Sequence, residues 1–313
     1  MTNVPPLKTF DPETFGRVAL VIGGESAERE VSLNGGQAVG AALKRKGIDF
    51  NVFDGATALF EAISHGGIDR VFNLIHGPDG EDGSLQGALQ LMKVPVTGAD
   101  LASSALTMDK VRSKWVWERN GILTPPFEVF GPNDHDYERA LDQLGQALFV
   151  KPTGLGSSIG ISKVTKAGEL QAAIELARRY GDTVIIEKEI RGDEYFAGVI
   201  GRLALPLIRI QTPREFYDYE AKYESDDTQY FCPCGLPPEQ EESFKAQSLK
   251  AFDILGTSGW GRVDFLLDED GQPWFLEVNT TPGMTDHSLV PQAAAQVGID
   301  FDDLVWRILE TSL

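Results

Sequence analysis

Apolar positions fall into short blocks whose period changes along the chain, and each change marks an element. Arg17-Val-Ala-Leu-Val-Ile22 carries an apolar run that ends on Gly23-Gly24. A run of that kind reads as a buried parallel strand closed by a tight turn. From Ser32 to Lys46 the period lengthens to that of a helix, with Val39, Ala42 and Leu43 on one stripe and Gly47 placed to end it. Phe50 to Phe53 and Val71 to Ile75 read as further strands, and Thr57 to His65 and Gly83 to Met92 as helices. Alternating strands and helices predict a parallel α/β sheet, whose ligands bind beyond the carboxyl ends of the strands. Two polar loops leave those ends, residues 24–30 and 76–83, and Val94 to Gly98 closes the unit.

Beyond it the pattern mixes helices with hairpins. A helix starts at Asp109 and runs to about Asn120. Leu148 to Lys151 is a strand, followed by the Gly/Ser loop of residues 152–160, a strand over Ile161 to Val164, a helix from Ala167 to Tyr180 and a strand from Thr183 to Lys188. Asp193 to Gly201 and Leu203 to Gln211 form a hairpin across Gly201-Arg202, and a Tyr-rich segment follows at 216–223. Pro237 to Leu255 is an amphipathic helix with Phe244, Phe252 and Leu255 on its apolar side. Closing helices lie near Ala293 and over Asp302 to Leu309.

Residues 261–284 organise the last third. Asp270-Gly271 predicts a type I′ hairpin turn. A turn centred there sets Asp264 opposite Glu277 and Arg262 opposite Asn279, so the period of two places all four polar groups on one face. The other face pairs Val263 with Val278, Phe265 with Leu276 and Leu267 with Trp274. Two carboxylates and an amide are hard oxygen ligands of the kind that suit Mg²⁺ with phosphate oxygens. A solvated salt bridge on a hairpin is the plainer alternative.

Composition narrows the function. The 313 residues predict two or three domains, and 42% hydrophobic with 24% charged residues describes a soluble globular chain. A net charge of −19 disfavours nucleic acid as a partner. No apolar run nears the ~20 residues of a membrane span, and residues 1–16 lack a secretory pattern. Cys232 and Cys234 read as plain thiols in a reducing compartment, and the scattered histidines indicate no zinc site.

Three loops carry candidate chemistry. Lys151, followed by bare Gly and Ser positions, makes either a phosphate cradle or a surface loop. Glu28 either holds an ammonium group or is a surface carboxylate. His76, at a strand end, either polarises a carboxylate or orients its loop.

Taken together, GGESAEREVSLNGG (23–36), KPTGLGSSIG (151–160), FYDYEAKY (216–223) and the pair GRVDF (261–265) with EVNTTPGMTDHSLVP (277–291) resemble the D-alanine–D-alanine ligases of the ATP-grasp superfamily. The resemblance runs from Ala19 to about Leu309. It implies a mixed α/β and α+β ATP-grasp fold: an N-terminal parallel α/β domain over 1–98, a central subdomain over 99–193 and a C-terminal subdomain with the metal site over 194–313. It implies ATP-dependent joining of two D-alanines through a D-alanyl phosphate, for a peptidoglycan precursor, in a cytoplasmic homodimer. By position, Asp264, Glu277 and Asn279 match ligands of two Mg²⁺ ions (Mn²⁺ being an alternative). Lys110 and Lys151 match phosphate contacts, Glu187, Lys188 and Ile190 the adenine edge, Glu194 the ribose contact, and Lys222 belongs with the nucleotide group. Glu28 matches the acid that takes the first D-alanine's ammonium, and Ser157 and Tyr223 its lid partners. His76 lies near the first substrate, Arg262 and Gly283 around the oxyanion, and Ser288 and Leu289 at the second carboxylate. Thr153-Gly-Leu-Gly156 departs from the Ser, Arg, Glu, Gly often found there, and Pro78-Asp79 from a more basic or Gly-rich pair. Two alternatives share the fold. A D-alanine–D-lactate ligase tends to carry Phe where this chain has Tyr223, and a non-catalytic nucleotide-binding protein would have lost a metal ligand or Arg262.

Overall fold

The computed structural model describes residues 4–156, 158–213, 227–285 and 287–313. In chain order the elements are β1 (Val18–Ile22), α1 (Arg29–Arg45), β2 (Phe50–Asp54), α2 (Ala56–Ser64), β3 (Arg70–Asn73), α3 (Ser84–Met92), α4 (Leu101–Met108), α5 (Lys110–Arg119), β4 (Phe127–Phe130), α6 (Glu138–Leu144), β5 (Leu148–Pro152), β6 (Ser162–Val164), α7 (Leu170–Ala177) and β7 (Val184–Lys188). There follow β8 (Gly192–Ile200), β9 (Leu203–Ala204), β10 (Ile208–Gln211), β11 (Gln229–Phe231), α8 (Pro238–Ile254), β12 (Trp260–Asp268), β13 (Pro273–Asn279), α9 (Leu289–Gln296) and α10 (Phe301–Glu310).

Among the described residues these strands make three sheets. The first, in the order β2-β1-β3, is parallel, as the alternating pattern predicts. The second runs β4-β7-β5-β6 and the third β11-β10-β8-β12-β13, both antiparallel. One apolar core joins the first and third sheets: Val39 and Leu43 of α1 and Phe72 of β3 pack with Phe196, Ile208 and the α10 residues Leu304 to Leu309. The paired charges of Arg45 and Asp302, 2.6 Å apart, lie over the same seam. A second core sits between β12, β13 and α8, and Trp117 of α5 enters it, its indole N–H donating to the Ala251 carbonyl at 2.9 Å. α5 is therefore fixed to the third sheet while its first turn faces the second.

The central hairpin departs from the expected register in an instructive way. Arg262–Asn279, Val263–Val278 and Asp264–Glu277 pair as expected. Past them the ladder slips by one, so that Phe265 meets Phe275 rather than Leu276, and Leu267 meets Pro273 rather than Trp274. The turn is also longer than type I′. The loop spans Glu269 to Gln272, Gly271 alone takes a left-handed φ of 79°, and the Asp268 carboxylate accepts the N–H groups of Asp270 and Gln272. A bulge at Leu276 restores the register. A bulge re-aims the side chain it adds: Leu276 leaves the core face and lines the cavity beside Glu277, while Phe275 takes its place in the core.

Candidate active site

A cavity of about 680 Å³ lies between the second and third sheets, within the range of ordinary ligand sites. Lys110, Lys151, Glu187, Lys188, Ile190, Glu194 and Glu277 all line it. Phe149 and Ile161 on one side and Ile210, Leu266 and Leu276 on the other supply apolar walls, between which a flat heterocycle can lie.

The polar end is built from α5. Asp109 caps the helix by accepting the Arg112 N–H at 2.9 Å. Lys110 and Lys114, one turn apart, then share a face. Lys110 Nζ lies 3.0 Å from Glu277 Oε2 and donates to the Leu155 carbonyl at 2.7 Å. Burial opposes its charge, but the surrounding carboxylates, Glu277 first and then Glu187 and Glu28, together outweigh that and hold the Lys110 pKa above its ordinary value. Lys114 is fully buried, 3.0 Å from Glu187 Oε1, and donates to Thr124 Oγ1 at 2.5 Å. Lys151 Nζ meets the other oxygen of Glu187 at 2.6 Å. Burial pushes Lys114 down to about 8, with Glu187 resisting. Glu187 is buried too, yet its two ammonium partners pull it down to about 2.

Asp264 and Glu277 face one another across β12 and β13, with Arg262 and Asn279 one step along. Arg262 grips Asp264 with two hydrogen bonds of 2.7 Å, and Asn279 Nδ2 donates to Asp264 Oδ2 at 3.0 Å. Glu277 lines the cavity, and with Asp264 and Asn279 beside it offers two carboxylates and an amide oxygen, a donor set that fits Mg²⁺, which takes its remaining ligands from phosphate and water. Among the described residues no cluster of three or more His, Cys, Asp or Glu forms.

At the far side of Arg262 the first-sheet loops meet the loop after β13. Glu28, at the N-terminus of α1, is 8% exposed. Gly156 of the Gly/Ser loop lies against it: a Cβ placed there would stand 3.4 Å from Glu28 Oε2. His76 is buried, and burial holds its imidazole below the ordinary value against the pull of Glu28 and the Thr281 backbone. Gly283 adjoins Ser288, whose Oγ accepts the Thr285 N–H at 2.9 Å and whose own position begins α9, followed by Leu289. Ser157, Lys222 and Tyr223 lie outside the described residues.

Glu81 ties these loops together. Its carboxyl accepts the Gly77 N–H at 2.8 Å and, from 200 residues away, the Thr281 N–H at 3.0 Å. Burial and the Glu28 carboxylate outweigh those donors and push it from 4.5 up to about 8. Because the folded value is the higher one, the stability this group contributes is full below pH 4.5 and is lost as pH rises to about 8. Glu81→Gln removes that slope. The melting temperature of the variant minus that of the wild type should therefore climb between pH 4.5 and pH 8, and a flat difference would mean that Glu81 titrates normally.

Residues 116–310 match the family model described as the D-ala D-ala ligase C-terminus, and residues 54–99 the model described as its N-terminus. The chain belongs to the D-alanine–D-alanine ligase family. A D-alanine–D-alanine ligase from Dechloromonas aromatica is 52% identical over 297 residues, covering 95% of this chain and 98% of that protein. The crystal structure of the Bacillus anthracis ligase superposes with a TM-score of 0.85 at 34% identity, covering 95% of this chain and 97% of that one. The same ligase complexed with ATP gives 0.84 at 32% identity, with the same coverage. The fold is accordingly ATP-grasp, and the family is one of ATP-dependent, ADP-forming ligases.

Two charged residues stand beside these groups without a clear signal in the sequence, Lys114 next to Glu187 and Glu81 next to Thr281. Lys114 was legible in principle, since it falls one turn after Lys110 on a helix that Asp109 caps. Glu81 had no such signal. It sits in a loop with other acids at Asp79 and Asp82, and only tertiary packing against Thr281 sets it apart.

Proposed function

We propose that this chain joins two D-alanine molecules with ATP, acting through the residues assembled between Lys151 and Ser288. The observation that carries the reading is convergence. The seven cavity residues end at Glu277, its strand partner Asp264 is gripped by Arg262, and Arg262 leads on to the loops of Glu28, His76 and Gly283.

The chemistry follows from that order. A carboxylate is a poor acyl donor until its oxygen is made a leaving group. Lys110 and Lys151 hold the phosphates, Glu187, Lys188 and Ile190 the adenine edge and Glu194 the ribose. Asp264, Glu277 and Asn279 would hold two Mg²⁺ ions, which offset charge on the transferring phosphoryl group. Glu28 takes the ammonium of the first D-alanine, with neutral His76 beside it. The carboxylate oxygen of that D-alanine takes the γ-phosphoryl from ATP, ADP leaves, and an acyl phosphate results. The amine of the second D-alanine, its carboxylate at Ser288 and Leu289 where the N-terminal N–H groups of α9 suit an anion, attacks the acyl carbon. Arg262 and Gly283 face the oxyanion, and phosphate leaves. The Gly/Ser loop, already seated on Lys110 and Glu28, excludes the water that would hydrolyse an acyl phosphate.

Phosphate release with Mg-ATP tests this, offering D-alanine, L-alanine, or D-alanine with D-lactate, with products identified by mass. D-alanyl-D-alanine formed from D-alanine alone is the expected result. Depsipeptide as the main product would overturn the second substrate, and no D-alanine-dependent phosphate would overturn the activity. The same reading places the protein in the cytoplasm as a homodimer, and among the described residues no helix is long and apolar enough to cross a membrane. Sedimentation as a 34.2 kDa species at micromolar concentration would count against the dimer.

A further inference from the structure

Lys114 touches neither the cavity nor any group given a role above except Glu187. It is fully buried, and its charge sits within a line that reads Thr124, Lys114, Glu187, Lys151. A buried ammonium is costly, and a core position on α5 would be easier to fill with an apolar side chain. The geometry points to a reason for keeping it. Glu187 is only 2% exposed, and its two oxygens are divided, one to each lysine.

We propose that Lys114 is a positioning residue for the nucleotide, holding Glu187 so that Lys151 can leave that carboxylate for a phosphate oxygen. This rests on the nucleotide reading of the cavity given above. Lys151 alone faces both ways: it lines the cavity and pairs with Glu187. Were it the only cation on Glu187, turning toward a phosphate would strand a buried carboxylate, and the pair would act as a trap. With Lys114 on the second oxygen, Glu187 stays compensated whichever way Lys151 turns. Thr124 fixes the Lys114 ammonium in turn, so the anchor does not follow Lys151 into the cavity. Lys110 is no substitute, because its ammonium is committed to Glu277 and the Leu155 carbonyl.

The test compares ligands with and without phosphates, by calorimetric titration of the full chain with ATP and with adenosine. Adenosine does not draw on Lys151. Lys114→Met should therefore weaken ATP about 30-fold, in keeping with the cost of breaking a buried charge pair, and adenosine by less than about threefold. A purely structural lysine would lower the melting temperature and leave the ratio of the two affinities unchanged, which overturns the proposal. A second background separates action through Glu187 from a direct field on the phosphates. In Glu187→Gln the trap is gone, so adding Lys114→Met should change ATP affinity by less than about threefold. An equal loss in both backgrounds overturns the proposal. Should Lys114→Met alone fail to fold, the Glu187→Gln background still tests the proposal, because a loss of about 30-fold on adding Lys114→Met there overturns it. None of these titrations uses D-alanine, so they stand or fall apart from the ligation assay.

Discussion

Arg262→Met is expected to lower kcat by about 10²- to 10³-fold while moving the KM for ATP little, because the lost donor faces charge that develops in the transition state. The guanidinium is nearly buried, stacked 4.9 Å above the Phe196 ring and held by Asp264 through two parallel hydrogen bonds. Its direction is thus set before any substrate arrives, which is what makes such a donor effective. The same contacts give the variant a second consequence. Asp264 is 2% exposed, and without Arg262 it keeps the Asn279 amide among the donors described above. Stranding a buried carboxylate of this kind costs about 3–5 kcal/mol, so the melting temperature should fall as well. Arg262→Lys separates the two effects. It keeps a charge near Asp264 but loses the planar fork, so it should melt closer to the wild type and still lose most of kcat. A folded variant at either position turning over within threefold of the wild type would remove Arg262 from the chemistry.

The hairpin shows why so much of the site is legible in the sequence and where legibility stops. The pairing of Asp264 with Glu277 is right although the turn type behind it is not. The real loop is longer than the expected turn, and the Leu276 bulge slips the ladder back by one residue before it reaches Asp264. Period and turn chemistry locate a polar face; they do not register a bulge, because its driving force is tertiary. Phe275 gains a place among Trp117, Phe244 and Phe265, and Leu276 becomes a wall of the cavity. The parallel first sheet was legible for a different reason: β1 and β3 are buried on both sides, and the apolar run says so directly. α4, β4 and α6 are short and weakly periodic, so the apolar pattern does not mark them. The Asp100–Ser103 capping box that starts α4 was present in the sequence as a signal. Glu187 shows the remaining gap. A motif places it at the nucleotide, but only the structure shows its carboxylate shared between the buried Lys114 and the partly exposed Lys151, which come from separate elements.

Glu277→Gln should cost at least about 10²-fold in turnover, since a metal ligand loses its charge at nearly constant volume. The way it fails should be diagnostic. With Mg²⁺ present, ATP affinity should drop by about 10- to 100-fold, the range seen when metal sites lose supporting groups. With Mg²⁺ removed by chelation, the same substitution should leave ATP affinity unchanged or improve it. The reason lies in the charges that meet at the mouth of the cavity. Glu277 is an anion among the groups that would face phosphates, and its partner Lys110 stands 3.0 Å away. Without metal, removing the carboxylate takes away repulsion and releases the Lys110 ammonium, which keeps the Leu155 carbonyl. With metal, the carboxylate is needed to hold the ion between the protein and the phosphates. The fold should survive, because the Glu277 side chain is about a quarter exposed and its strand is pinned by Phe275 and Val278 in the core. Loss of ATP affinity to the same degree with and without Mg²⁺ would mean that Glu277 orders Lys110 rather than binding metal, and wild-type turnover would sink the metal assignment altogether.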